Sequence, residues 1–269
     1  MIEAAKLKHW IDNFYGYGSW HAPIWFVGYE EGGGDLPEEV AEKLNYFYRN
    51  HPSADQATLC DIRTLYREVA FRVDGPRAEV FANLYEHRFD RKAVIHGYWK
   101  NLIAFVHGYR NKKLPDLLEY QKASFASPSS NEAWIQFYPL PSPNNHAWYY
   151  AWLDLPAFDF LKTRDRYQEH VYQQRIQSIL RNIKVYKPQV VLMYGMDNIN
   201  ALKESVLSSF PDSKFKMVKA IPHQIPQHHR AEVDTTILLI TTQIPGLRHG
   251  RTETGFDWQE FGKIVRENS

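Results

Sequence analysis

The chain has 269 residues, 44% of them apolar and 15% aromatic, enough to bury the core of one large α/β domain or two small ones. A formal charge of +1 excludes bulk attraction to nucleic acid, so any such contact has to come from a local patch. A single cysteine, Cys60, excludes an internal disulfide and cannot alone hold a structural zinc or an iron–sulfur cluster. The opening MIEAAKLKHW lacks the charged-then-apolar pattern of a leader, and no run approaches the roughly 18 consecutive apolar residues of a membrane span. A soluble, cytoplasmic protein without membrane contact is therefore expected.

In chain order, short apolar runs bounded by turn residues predict strands at 24–27 (IWFV), 133–138 (AWIQFY), 190–194 (VVLMY) and 236–241 (TILLIT), with a weaker one at 215–219 (FKMVK). Continuous apolar strands are buried on both faces, which means a parallel sheet between helices. Helical spacing predicts helices at 38–49, 60–73, 94–108, 165–185, 197–208 and 257–267. The best-defined unit runs from Arg164 to Gly195: Ile176, Ile179, Leu180 and Ile183 make a helix face, Lys187-Pro188 breaks it, and VVLMY enters the sheet. The alternation predicts an α/β fold, a three-layer α/β/α sandwich on a central, mostly parallel sheet of about four strands. One domain over 1–269 is expected, with 36–125 a helical insertion over one flank of the sheet.

The stretch IWFVGYEEGGGD (24–35) begins as a buried strand and ends in flexible, acidic backbone. Open α/β sheets present ligand loops in this way, at the carboxyl edge of a strand. The carboxylates Glu30 and Glu31 do not suit a phosphate cradle.

Three segments follow strand ends in order: GYEEGGG, YPLPSPNN and TTQIPGLRHG. Together with KPQVVLMYG they resemble the uracil-DNA glycosylase superfamily, whose first motif is a strand running into G-x-[D/N/A]-P-[Y/G] and whose last is a strand running into H-P-S-x-L. The likeness covers mainly residues 20–35 and 130–265. It implies that Gly28 takes the opening glycine and that Glu30 takes the position of the group that orients the attacking water. A carboxylate there can stabilise an oxocarbenium-like sugar and align or deprotonate water. Glu31 is a second candidate for that role, and both glutamates can equally be solvated loop charges. Glu31 departs from the family's proline. The glycines from Gly32 onwards leave room where some members place a tyrosine, so Tyr29, Glu31 and Gly32 are expected beside the substrate.

In the last motif the resemblance puts Gln243 in place of the family's histidine and Leu247 in place of the leucine pushed into the duplex. Gln243 can donate to a leaving base only as a neutral amide, with His249 as a substitute. Arg248, His249 and Arg251 would clamp the DNA backbone around Leu247, which can otherwise be a minor core residue. In the middle segment Gln136, Asn144 and Asn145 are the amides available to read a pyrimidine edge, and Tyr138, His146 and Trp148 are rings able to stack on an extruded base or to pack the loop. The resemblance thus implies a monofunctional DNA glycosylase that leaves an abasic site, needs no cofactor or metal and acts as a monomer. Duplex DNA carrying a modified pyrimidine, such as glucosylated hydroxymethylcytosine in phage DNA, is the expected substrate. Uracil repair, a non-catalytic DNA-binding module and a nucleoside or nucleotide hydrolase are the alternatives.

Outside these motifs, His223, His228 and His229 read as a polar surface loop rather than a metal site, since they offer no helical i, i+4 pair. Three basic groups (Arg88, Arg91 and Lys92; Arg110, Lys112 and Lys113; Lys162, Arg164 and Arg166) form either a stripe along DNA or ordinary solvated faces.

Overall fold

The computed structural model of the protein describes residues 2–34, 36–53, 55–144, 146–246 and 255–268. Helix α1 (Ala4–Asn13) leads into strands β1 (Phe14–Tyr17) and β2 (Ile24–Glu30). Helix α2 (Pro37–Asn50), the short strand β3 (Thr58–Cys60) and helices α3 (Ile62–Glu68), α4 (Ala78–Ala82), α5 (Leu84–Phe89), α6 (Trp99–Tyr109) and α7 (Leu117–Ala123) follow. Strand β4 (Glu132–Tyr138) precedes two 3-10 helices, Tyr149–Trp152 and Pro156–Lys162, and the long helix α8 (Arg164–Tyr186). The chain ends with β5 (Val190–Tyr194), α9 (Ile199–Ser209), β6 (Lys216–Val218), β7 (His228–Val233), β8 (Thr236–Ile240) and α10 (Trp258–Glu267).

The strands form one eight-stranded sheet in the order β3-β1-β4-β2-β5-β8-β7-β6. Its centre, β4-β2-β5-β8, is parallel throughout. On one side β1 lies antiparallel to β4 and β3 parallel to β1; on the other, β7 is antiparallel to β8 and β6 to β7. The fold is α/β as expected, but the sheet is twice the expected width and mixed. The four strands read from apolar runs are the four parallel central ones, buried on both faces.

The flanking strands lack that signal. β3 is three residues long, and β7 begins with two histidines. His228 and His229, expected in a polar loop, therefore belong to a strand. His228 is buried, its Nδ1 lies 2.8 Å from the Pro226 carbonyl, and burial holds its pKa below the usual histidine range.

Successive residues of β2 face opposite sides of the sheet. Phe26 packs edge-on to Phe105 of α6, which in turn meets Phe261 of α10, while Trp25 faces Tyr186 at the end of α8. Residues 36–125 carry helices α2 to α7 and also strand β3, which joins the sheet, and α6 is more than a cover for one flank: it lines the central core.

On the other face α8 is fastened by Arg175, fully buried, which donates to the carbonyls of Phe14, Gln136 and Phe137 at 2.8, 2.6 and 2.8 Å. These carbonyls are free because the antiparallel ladder between β1 and β4 spans only Gly16–Ile135 and Tyr17–Trp134. Among the described residues, no helix is long and apolar enough to cross a membrane.

Candidate functional site

Because β4, β2, β5 and β8 run parallel, their carboxyl ends share one edge of the sheet, where open α/β folds bind ligands. Gly195, at φ +69°, turns the chain after β5, and its N–H donates to the Gln243 carbonyl at 3.1 Å while Met196 N–H donates to the Thr241 carbonyl at 3.1 Å. A methyl group on Gly195 would lie 3.9 Å from the Tyr29 Cβ. The loops after β2 and β8 are thus neighbours across the β5 turn. Asn101 of α6 ties the Pro245 carbonyl into the same edge at 2.6 Å.

Glu30, the last residue of β2, has a side chain only 9% exposed. Its Oε1 accepts from Arg164 Nη1 at 2.6 Å, and its Oε2 is buried with no hydrogen-bond partner. Burial raises the pKa of Glu30; the bond to Arg164 and its charge oppose that, and the nearby Asp197 adds to it. Arg164 opens α8, where the positive end of the helix dipole disfavours a cation. Acceptors compensate: besides Glu30, the guanidinium bonds Ser142 Oγ at 2.6 Å and the carbonyls of Asn144 and Ala147 at 2.8 Å each, and it rests on the Trp148 ring.

Glu31 takes the opposite course. At 2% exposure it turns inward, where Oε2 accepts from the Tyr17 hydroxyl at 2.8 Å and Oε1 from Lys43 at 3.1 Å and the Tyr66 hydroxyl at 3.3 Å. Lys43, equally buried, also pairs with Glu39 at 2.9 Å, and Glu39 accepts from the Gly34 N–H at 3.1 Å. Burial works to raise Glu39 and to lower Lys43, but the Lys43 charge outweighs it for Glu39, and the charges of Glu31 and then Glu39 outweigh it for Lys43, so Glu39 titrates below and Lys43 well above its usual range. Glu31, expected beside the substrate, is thus a structural anchor for the glycine loop.

The remaining predicted residues divide. Gly28 lies in register between Gln136 and Tyr194, and a Cβ there would come within 2.6 Å of the Tyr194 hydroxyl, so the tyrosine fills the glycine's space. Gln136 is fully buried, with both amide atoms unpartnered. Tyr138 is buried against Tyr29, ring centroids 4.9 Å apart. Gly32 is exposed, with open space around it. Asn144 Oδ1 accepts from the backbone of His146 and Ala147, which shapes its own loop, and His146 is exposed. Trp148 is occupied in packing on Tyr167 and donating to the Leu161 carbonyl. Gln243 is half-buried, and one N–H of its Nε2 donates to the Ile244 carbonyl at 3.2 Å, while an amide nitrogen carries a second. Asn145, Leu247, Arg248, His249 and Arg251 lie outside the described residues.

Two residues at this edge escaped the sequence reading, and a third was legible only in part. Arg164 was visible only as one member of a basic group. Asp197, on the turn after β5, is exposed and accepts from the Tyr29 hydroxyl at 3.4 Å. Gln168, one turn along α8 from Arg164, approaches that hydroxyl, and its Nε2 is buried without a partner. No protein-family model matches the chain, and no curated protein sequence matches it significantly.

Proposed function

We propose that the protein is a monofunctional DNA glycosylase that hydrolyses the N-glycosidic bond of a modified pyrimidine extruded from DNA. The reading is carried by one observation, the half-satisfied carboxylate of Glu30. Arg164 fixes one oxygen, and the other is buried and unpartnered at the sheet edge that also carries the Gln243 turn. A buried acceptor left without a partner costs about 1–3 kcal/mol, a cost that a water held for reaction offsets.

In this mechanism Glu30 Oε2 accepts a proton from water as the water oxygen bonds to the sugar C1′. The C1′–N1 bond breaks and its electron pair leaves with the base. The carboxylate also faces the positive charge that builds on the sugar. Arg164 opposes the rise that burial imposes on the Glu30 pKa and sets the orientation of the carboxylate. The departing base carries negative charge, which the second N–H of the Gln243 amide stabilises as a neutral donor. DNA is the proposed partner, and defence against phage DNA bearing modified cytosine is the biological role that fits. No cofactor takes part in this scheme.

The test offers duplexes containing uracil, hydroxymethylcytosine or glucosylated hydroxymethylcytosine, followed by alkali cleavage at abasic sites. Glu30→Gln is expected to reduce excision by roughly 10²–10⁴-fold with little change in thermal stability. Strand breaks that persist at full rate in this variant overturn the assignment. Salt-dependent binding without abasic sites instead supports a non-catalytic module.

A further inference from the structure

Two carboxylates at this edge, Glu30 and Asp197, keep unused acceptor capacity. Asp197 Oδ2 has only the long contact to the Tyr29 hydroxyl, and Asp197 forms no ion pair among the described residues. Glu30 Oε2, on a side chain that is nine-tenths buried, has no donor at all. Arg164, the cation whose charge reaches Glu30 and Tyr29, already bonds Glu30, Ser142 and two backbone carbonyls. Tyr29 reaches Asp197 at 3.4 Å and packs on Tyr138 with ring centroids 4.9 Å apart, and Glu30 follows it at the end of β2, so the four residues share one corner of the sheet edge. The Tyr29 hydroxyl donates towards Asp197 Oδ2 at 3.4 Å.

We infer that Asp197 is a specificity-determining residue, its carboxylate accepting a hydrogen bond from the exocyclic amino group of the extruded base, so that the site takes aminopyrimidines in preference to ketopyrimidines. This rests on the glycosylase reading above and names the class of base within it. A carboxylate is an acceptor-only partner for the amino group of a cytosine-type base; facing the keto oxygen of a uracil-type base it leaves two acceptors in opposition. Asn in its place can rotate to donate or accept, and so loses the discrimination.

The experiment compares duplexes carrying 5-hydroxymethylcytosine with those carrying 5-hydroxymethyluracil. The two share the 5-substituent and differ in the amino or keto group at C4. Single-turnover excision and fluorescence-anisotropy binding are measured for the wild type, Asp197→Asn and Glu30→Gln. The wild type is expected to favour the amino base by roughly tenfold or more, and Asp197→Asn to narrow that ratio severalfold while retaining excision. Equal or faster removal of the keto base by the wild type, or an unchanged ratio in Asp197→Asn, overturns the role of Asp197 and leaves the glycosylase reading standing. No excision of either base, with a binding preference for the amino base that Asp197→Asn abolishes, overturns excision and supports Asp197. Neither excision nor discriminating binding overturns both.

Discussion

Glu30 and Glu31 are neighbours in sequence, both largely withdrawn from solvent, yet the protein uses them in opposite ways. Each Glu31 oxygen has a donor, from Tyr17 on one side and from Lys43 and Tyr66 on the other. Glu30 has a donor for one oxygen and nothing for the second. Burial does not separate the two; completeness of hydrogen bonding does. A fully satisfied carboxylate holds a loop in place, whereas a half-satisfied one is ready to receive something.

The largest effect that would sharpen this contrast is expected at Lys43. Lys43→Met leaves Glu31 and Glu39 buried without their counter-ion and should destabilise the fold by about 3–5 kcal/mol in urea titration. Adding Glu31→Gln and Glu39→Gln should recover most of that, because no uncompensated charge then remains. Little loss in the single variant would mean that Glu31 is not the anchor described.

A third buried carboxylate, Glu132, extends the series, since it relies on neutral donors: the Tyr120 hydroxyl at 3.0 Å and the Ala126 N–H at 3.1 Å. Burial raises its pKa from 4.5 to about 7. A raised carboxyl pKa stabilises the fold fully below about pH 4.5, and that contribution is lost as pH rises through about 7, a change on the order of 3 kcal/mol. Urea midpoints across this range should fall in the wild type and stay flatter in Glu132→Gln.

At the rim, Arg164→Gln removes the group that opposes the burial of Glu30. The acidic limb of the pH–rate profile should move to higher pH, with a loss on the order of tenfold at neutral pH. An unmoved limb would separate Glu30 from the reaction. The smallest expected effect is at Gly34, which sits at φ +68° and where an added methyl group would lie 3.1 Å from the Pro141 carbonyl. Gly34→Ala should cost about 1 kcal/mol by thermal denaturation.

The central strands were legible because burial on both faces writes an uninterrupted apolar run. β1 and β7 were not: FYGY is too short to show a period, and HHRAEV carries polar residues on a strand that is only partly buried. The carboxylate loop stood out because acidic residues among glycines are unusual at a strand end. Its partners did not, since Arg164 meets Glu30 from 134 residues away. Nothing in the sequence marked Lys43 for burial, which its ion pairs with Glu31 and Glu39 make tolerable. Gly28 was read as the opening glycine of the first motif, and the Tyr194 ring that fills its side-chain space comes from another strand.

Arg164, Gln168 and Arg175 fall on one stripe of α8, the first and last separated by three helical turns, about 16 Å of rise. The guanidinium that staples the β1–β4 seam and the one that grips Glu30 are therefore two marks on a single rigid gauge. Inserting or deleting one residue between them would rotate one mark by about 100° relative to the other. The helix could then honour the staple or the grip, but not both.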